Sequence, residues 1–112
     1  MMEEKGGLEA YTGLEYVSIR FSDDEVVVSV CDEEILGKTL VDPGKGIKYV
    51  VDPFFYKGEL KSVEEALEIL STATTGNLVG ERIVKAAIER GFIHPDAVLV
   101  VQGVPIAFFA IL

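Results

Sequence analysis

Cysteine is almost absent from this chain. Cys31 stands alone, which excludes an intramolecular disulfide and any cysteine-based zinc cluster within one chain. Its strand-like neighbours Val28, Ser29 and Val30, with no histidine or lysine nearby to lower its pKa, mark it as a structural thiol rather than a nucleophile. Histidine is equally scarce: His94 is the single one, and it precedes Pro95 at a strand entry, where a backbone hydrogen bond accounts for it. No Ser-His-acid or Cys-His set can be assembled. The glycines at 76 and 80 match no phosphate-loop fingerprint, and a nucleophile elbow and a dinucleotide fingerprint are missing.

Long apolar runs are also lacking. The most apolar segment, Ala97 to Leu112, is interrupted by Gln102, Gly103 and Pro105, so it reads as buried strands and not as a membrane span. Met1 to Leu8 carries acids and no apolar core, unlike a signal peptide. The expectation is a soluble, cytoplasmic protein without membrane contact. Basic residues are few, ten against nineteen acids, and the net charge of −9 repels nucleic acid and acidic membranes when averaged over the surface. It suits a basic partner.

What is present is a patterned domain. A chain of 112 residues, 49% of them apolar, is one domain with a self-sufficient core. Residues 1–14 are charged and glycine-containing and read as loosely ordered, leaving 15–112 as the domain. Tyr16 to Phe21 alternates, with Val17, Ile19 and Phe21 on one face, and Glu25 to Cys31 is rich in β-branched residues; the short link predicts a hairpin. Asp32 to Gly37 reads as a single helical turn capped by Asp32. Asp42-Pro43-Gly44-Lys45-Gly46 is a turn, Ile47 to Val51 a strand, and Phe54-Phe55-Tyr56 an aromatic loop or short edge strand.

Ser62-Val63-Glu64-Glu65 is a capping box, opening a helix with Val63, Ala66, Leu67 and Leu70 on its apolar stripe. A second helix is expected from Asn77, as N-cap, to Arg90, with Gly91 at C′ and Ile83, Val84, Ala87 and Ile88 facing inward. Gly80 falls in its first turn at a cost of about 1 kcal/mol against alanine, so a close backbone or an approaching ligand is expected there. The element order predicts an α+β fold, an antiparallel or mixed sheet of about five or six strands with a helix pair packed on one face. The apolar C-terminal segment is suited to complete this sheet or that of a second copy.

Charge is uneven along the chain. Residues 1–37 hold ten acids and two bases, residues 62–112 six and three, whereas residues 38–61 hold three acids and five lysines. Those lysines are interleaved with Tyr49 and Phe54 to Tyr56, the parts of a single-stranded RNA surface: cations for phosphates, rings for bases. The candidate binding residues are Lys45, Lys48, Phe55, Tyr56 and Lys57, with Asn77, Gly80 and Arg82 where free amides of the helix start would meet phosphate. Two other functions are open. One is a protein-interaction subunit whose acidic faces meet a basic partner. The other is a metal-dependent enzyme using Cys31, Asp32 and Glu33, which solvated carboxylates at a turn do not require. The leading expectation is a non-catalytic binding module for RNA or a translation component, without metal or cofactor.

Four ordered stretches together resemble a known family: Val30-Cys31-Asp32-Glu33-Glu34-Ile35-Leu36-Gly37-Lys38, Phe54-Phe55-Tyr56-Lys57-Gly58-Glu59-Leu60, Asn77-Leu78-Val79-Gly80-Glu81-Arg82 and Gly103-Val104-Pro105. They are similar to the archaeal uncharacterised family called domain of unknown function 424, over roughly residues 16–110. The resemblance implies no established activity, only a loose association with translation and RNA handling. Family members often carry histidine directly after the Val-Pro pair; here that position is Ile106, which fits packing better than chemistry.

Overall fold

The structure, a computed structural model, describes residues 12–111. Most of the expected loose segment 1–14 therefore lies outside the described residues. Its last part is tied down, since Glu33 N donates to Leu14 O and Thr12 N to Glu33 Oε1.

β1 (Glu15–Ser22) and β2 (Glu25–Asp32) form the expected hairpin in antiparallel register. Their alternation and β-branched content suit a pleated, half-buried surface. After a 3₁₀ turn at Glu33–Ile35, β3 (Thr39–Asp42) and β4 (Ile47–Val50) make a separate two-stranded ribbon across the Pro43–Gly46 turn. Phe54 to Tyr56 is neither loop nor edge strand but part of a one-turn helix, α1 (Pro53–Tyr56): Asp52 accepts from Phe54 N, and proline starts the turn. β5 (Glu59–Lys61) pairs with the beginning of β1. α2 (Val63–Leu70) opens with the reciprocal Ser62–Glu65 capping box that its sequence announces.

The second helix starts later than expected. Asn77 is not an N-cap; it lies inside β6 (Thr75–Val79), which runs parallel to β2, and helix α3 spans Glu81–Glu89. The two helices are thus joined through a strand and not through a tight corner. The physical reason is burial on both sides: Leu78 faces one core and Val79 the other, so this short apolar run fits a central strand. The far end of α3 is as read. Gly91 has φ +86, its N–H reaches Ile88 O, and Phe92 N reaches Ala87 O, the paired bonds of a Schellman motif. A 3₁₀ turn at Pro95–Ala97 leads to β7 (Leu99–Val101) and β8 (Val104–Ala110).

The result is an α+β fold: a six-stranded mixed sheet in the order β5-β1-β2-β6-β8-β7, with β2–β6 its parallel pair, plus the β3–β4 ribbon. α2 and α3 lie together on one face over a core that includes Val28, Val30, Leu70, Leu78 and Ile83. The opposite face carries a second core of Cys31, Leu40, Val51, Tyr56, Val79 and Val101, enclosed by the ribbon and α1. Each of the four family-like stretches contributes to this second core, through Cys31, Tyr56, Val79 and Val104; Ile106 packs there too. Val17 lies under the helices, whereas Ile19 and Phe21 on the same face run past them and are exposed. No helix among the described residues is long and apolar enough to cross a membrane.

Candidate functional site

Gly80 links β6 to α3 with φ +123 and ψ 152, a conformation that a side chain would strain. A Cβ built there would stand 2.3 Å from Asp32 Cγ. The neighbour that requires glycine is therefore a carboxylate from the end of β2, and neither a backbone nor a ligand. That carboxylate is the remote cap of α3: Oδ2 accepts from Arg82 N at 2.9 Å and Oδ1 from Ile83 N at 3.1 Å. Gly80 N is taken by Pro105 O. The expected phosphate site at Asn77 to Gly80 is thus filled by the protein's own anion, while Asn77 Nδ2 points to Ser29 Oγ. The 3₁₀ turn at Glu33, which Asp32 was expected to cap, receives no side-chain hydrogen bond from it.

Arg82 completes the junction. Its guanidinium binds Glu34 through both terminal nitrogens, at 2.7 and 2.8 Å, Glu15 Oε2 through Nε at 3.1 Å, and the Leu14 carbonyl at 3.0 Å. The Glu34 hydrogen bonds raise the Arg82 pKa above its ordinary value and hold the Glu34 carboxyl below its own. Glu15 sits directly opposite Asp32 in the β1–β2 register and is fully buried. Its Oε1 meets no donor. Burial, a side-chain hydrogen bond to Asp32 and that residue's negative charge push the Glu15 carboxyl up to about 9. A protonated Glu15 carries no charge to oppose that of Asp32, which removes the like-charge conflict between facing carboxylates.

These donors and acceptors are consumed in joining β1, β2 and α3, so the cluster reads as a clasp. The metal reading loses its donor set here. Asp32 spends both oxygens on amides, Glu33 accepts from Thr12, and Cys31 is buried in the second core, where burial foremost pushes its thiol up to about 12. Among the described residues no group of three or more metal-ligating side chains converges.

An open groove of about 710 Å³ runs along the outer flank of α3. Val84, Ile88, Pro95, Val98, Val100 and Pro105 line it, with Glu81, Lys85 and Glu89 along the helix side. At the start of α3 it adjoins a smaller hollow of about 220 Å³ bordered by Asp32, Glu34 and Val104, the two sharing Glu81 and Pro105.

The expected RNA residues differ in exposure and partners. Lys45 donates to Val100 O at 2.9 Å, fastening the ribbon turn to β7, and Lys48 is exposed on β4. Lys57 is exposed after α1; Tyr56 is buried with its hydroxyl against that of Tyr49, and Phe55 is half-buried. The exposed ring is Phe54, 80% accessible, with the Arg20 guanidinium 4.9 Å from its centroid and 5.3 Å from that of Phe55. His94 accepts a backbone N–H from Asp96 through Nδ1, as expected of a structural histidine.

The model of the family described as protein of unknown function (DUF424) matches residues 20–112. The chain belongs to this family. Among solved structures it is similar to an uncharacterised conserved protein from Methanopyrus kandleri, at 25% identity and a TM-score of 0.75, over 88% of this chain and 92% of that one. No curated protein matches the chain. The family-like Asn77 to Arg82 stretch is now accounted for as a strand end, a glycine forced by Asp32 and the clasp arginine.

Sequence reading missed Glu15, although an acid in phase with Val17 on an inward strand face was a usable signal. It also missed the groove, for which no local signal exists, because its walls come from α3, the Pro95 turn, β7 and β8.

Proposed function

We propose that the protein is a binding module whose working surface is the groove beside α3, and that its partner is a protein segment with apolar side chains and basic flanks. The observation that carries this reading is the apolar floor of exposed Val100 and half-buried Val98 and Pro105 beside a helix whose inner face is buried. A contiguous apolar concavity with a charged border marks a protein contact. The surplus of acids, −9 overall, favours a basic partner over nucleic acid. Affinity purification of the tagged chain from its native cells, with and without nuclease, tests the proposal. A nuclease-resistant protein lost in Val100→Asp is the expected result; an unchanged partner set in that variant sinks the reading.

A second reading has its own support. Phe54 lies exposed against Arg20, a platform on which a base can stack, with stacking worth about 1–3 kcal/mol per base. RNA titration at two salt concentrations tests it: salt-sensitive binding that Phe54→Ala and Lys57→Glu abolish is the expected outcome, and none at low salt removes it.

A further inference from the structure

The width of the sheet leaves one place in the helix layer open. Strands lie about 4.8 Å apart and a helix with its side chains spans about 10 Å, so two helices cover roughly four strands. The sheet has six. α2 packs over β5, β1 and β2, and α3 over β2, β6 and β8, so no helix of the described residues covers the face of β7 and the outer side of β8. That strip is the groove. In the β7–β8 register Val100 stands opposite Pro105, and both line this face.

The helix wall carries an ordered charge stripe. Glu81, Lys85 and Glu89 stand at i, i+4 and i+8, all exposed, so they form one row of alternating sign. We propose that the slot takes an amphipathic helix of a partner protein, seated as a third helix beside α3, with a basic-acidic-basic row facing this stripe. The inference rests on the groove being the working surface and adds the partner's conformation and charge order. Residues in facing rows discriminate partners by sign, as they do along helix pairs. A second copy of this chain does not fit: two-fold antiparallel pairing of α3 sets Glu81 against Glu89 and Lys85 against Lys85.

The test uses synthetic amphipathic peptides of about 15 residues. They have the same leucine face and the same composition, and differ only in the flanking row, Lys-Glu-Lys, Lys-Lys-Glu or Glu-Lys-Lys. Fluorescence anisotropy against the full chain at low salt should show the Lys-Glu-Lys peptide binding about tenfold tighter than the other two, with the preference shrinking as salt rises. The variant Lys85→Glu/Glu89→Lys keeps the protein's net charge and should transfer the preference to one of the other peptides, which also gives the orientation. Circular dichroism checks that this variant folds, and Lys85→Glu alone, expected to weaken Lys-Glu-Lys binding, serves if it does not. Equal affinity for all three peptides overturns the charge order while leaving the groove reading intact. Absence of binding by any peptide overturns both. A dimer of the chain, or an RNA oligonucleotide complex, that Val100→Asp abolishes overturns the helix proposal by assigning the slot to another occupant.

Discussion

The two ends of the same helix wall solve opposite problems. At the start of α3, three elements meet and nearly every polar atom is matched: Asp32 takes two amides, Arg82 takes Glu34, Glu15 and Leu14, and Gly80 leaves the room that Asp32 fills. Along its outer flank, Val84, Ile88 and Val100 border space that no residue of the described chain occupies. Charge and a distinctive motif mark the first region, yet its chemistry is turned inward. The second has no motif and an uncovered apolar surface. Partners bind where the chain leaves interactions unmade, and the clasp leaves almost none.

The largest effect expected from breaking this contrast is at Gly80. Gly80→Ala combines a positive-φ penalty with a clash against Asp32, for a loss of about 3 kcal/mol or more in urea unfolding. Combined with Asp32→Gly, which alone costs the two cap bonds of α3, the loss should be smaller than the sum of the two single losses, since the two changes share one contact. Arg82→Lys comes next. It gives up the two-pronged Glu34 bond and the Glu15 and Leu14 contacts, and with the side chain 33% exposed the expected cost is about 2 kcal/mol in the same assay.

The pH dependence sharpens the picture of the clasp. Glu15 holds its proton to about 9 in the folded state against 4.5 as its ordinary value. Between those values the folded chain binds more protons than the unfolded one, so this group's contribution is full below 4.5 and is lost as pH rises to about 9. Its slope can reach about 1.4 kcal/mol per pH unit. Glu34, lowered by Arg82, acts in the other direction and loses its contribution as pH falls below the ordinary carboxylate range. Glu15→Gln keeps a donor toward Asp32 and should flatten the alkaline decline measured by urea unfolding from pH 5 to about pH 9. A decline that persists in this variant assigns the slope to other groups. The smallest stability effect belongs to the groove: Val100→Asp, at a site 43% exposed, should shift stability by about 0.5 kcal/mol or less while removing the partner. If it unfolds the chain instead, the groove is part of the core and the contrast fails.

Much of the architecture was legible from local pattern. The β1–β2 hairpin, the Pro43–Gly46 turn, the capping box at Ser62 and the Gly91 stop are all written in residues close together in the chain, whose preferences are set by their own backbones and nearest neighbours. The start of α3 was misplaced because Asn77 is a good cap in isolation, whereas its neighbours Leu78 and Val79 are claimed by two cores on opposite sides of the sheet. The glycine at 80 was visible as an anomaly; that its cause is the side chain of Asp32, far earlier in the chain, was not.

By itself the sequence determined the α+β class, the inward stripes of both helices, the lone buried cysteine and the acidic balance, since each follows from composition or short-range periodicity. Tertiary structure alone decided the rest. It brought Glu15, Asp32, Glu34 and Arg82 into one closed cluster, engaged Lys45 with the Val100 carbonyl, and opened a groove between α3 and β7. The physical reason is that hydrogen-bond satisfaction and uncovered apolar area depend on which distant surfaces the fold sets against each other.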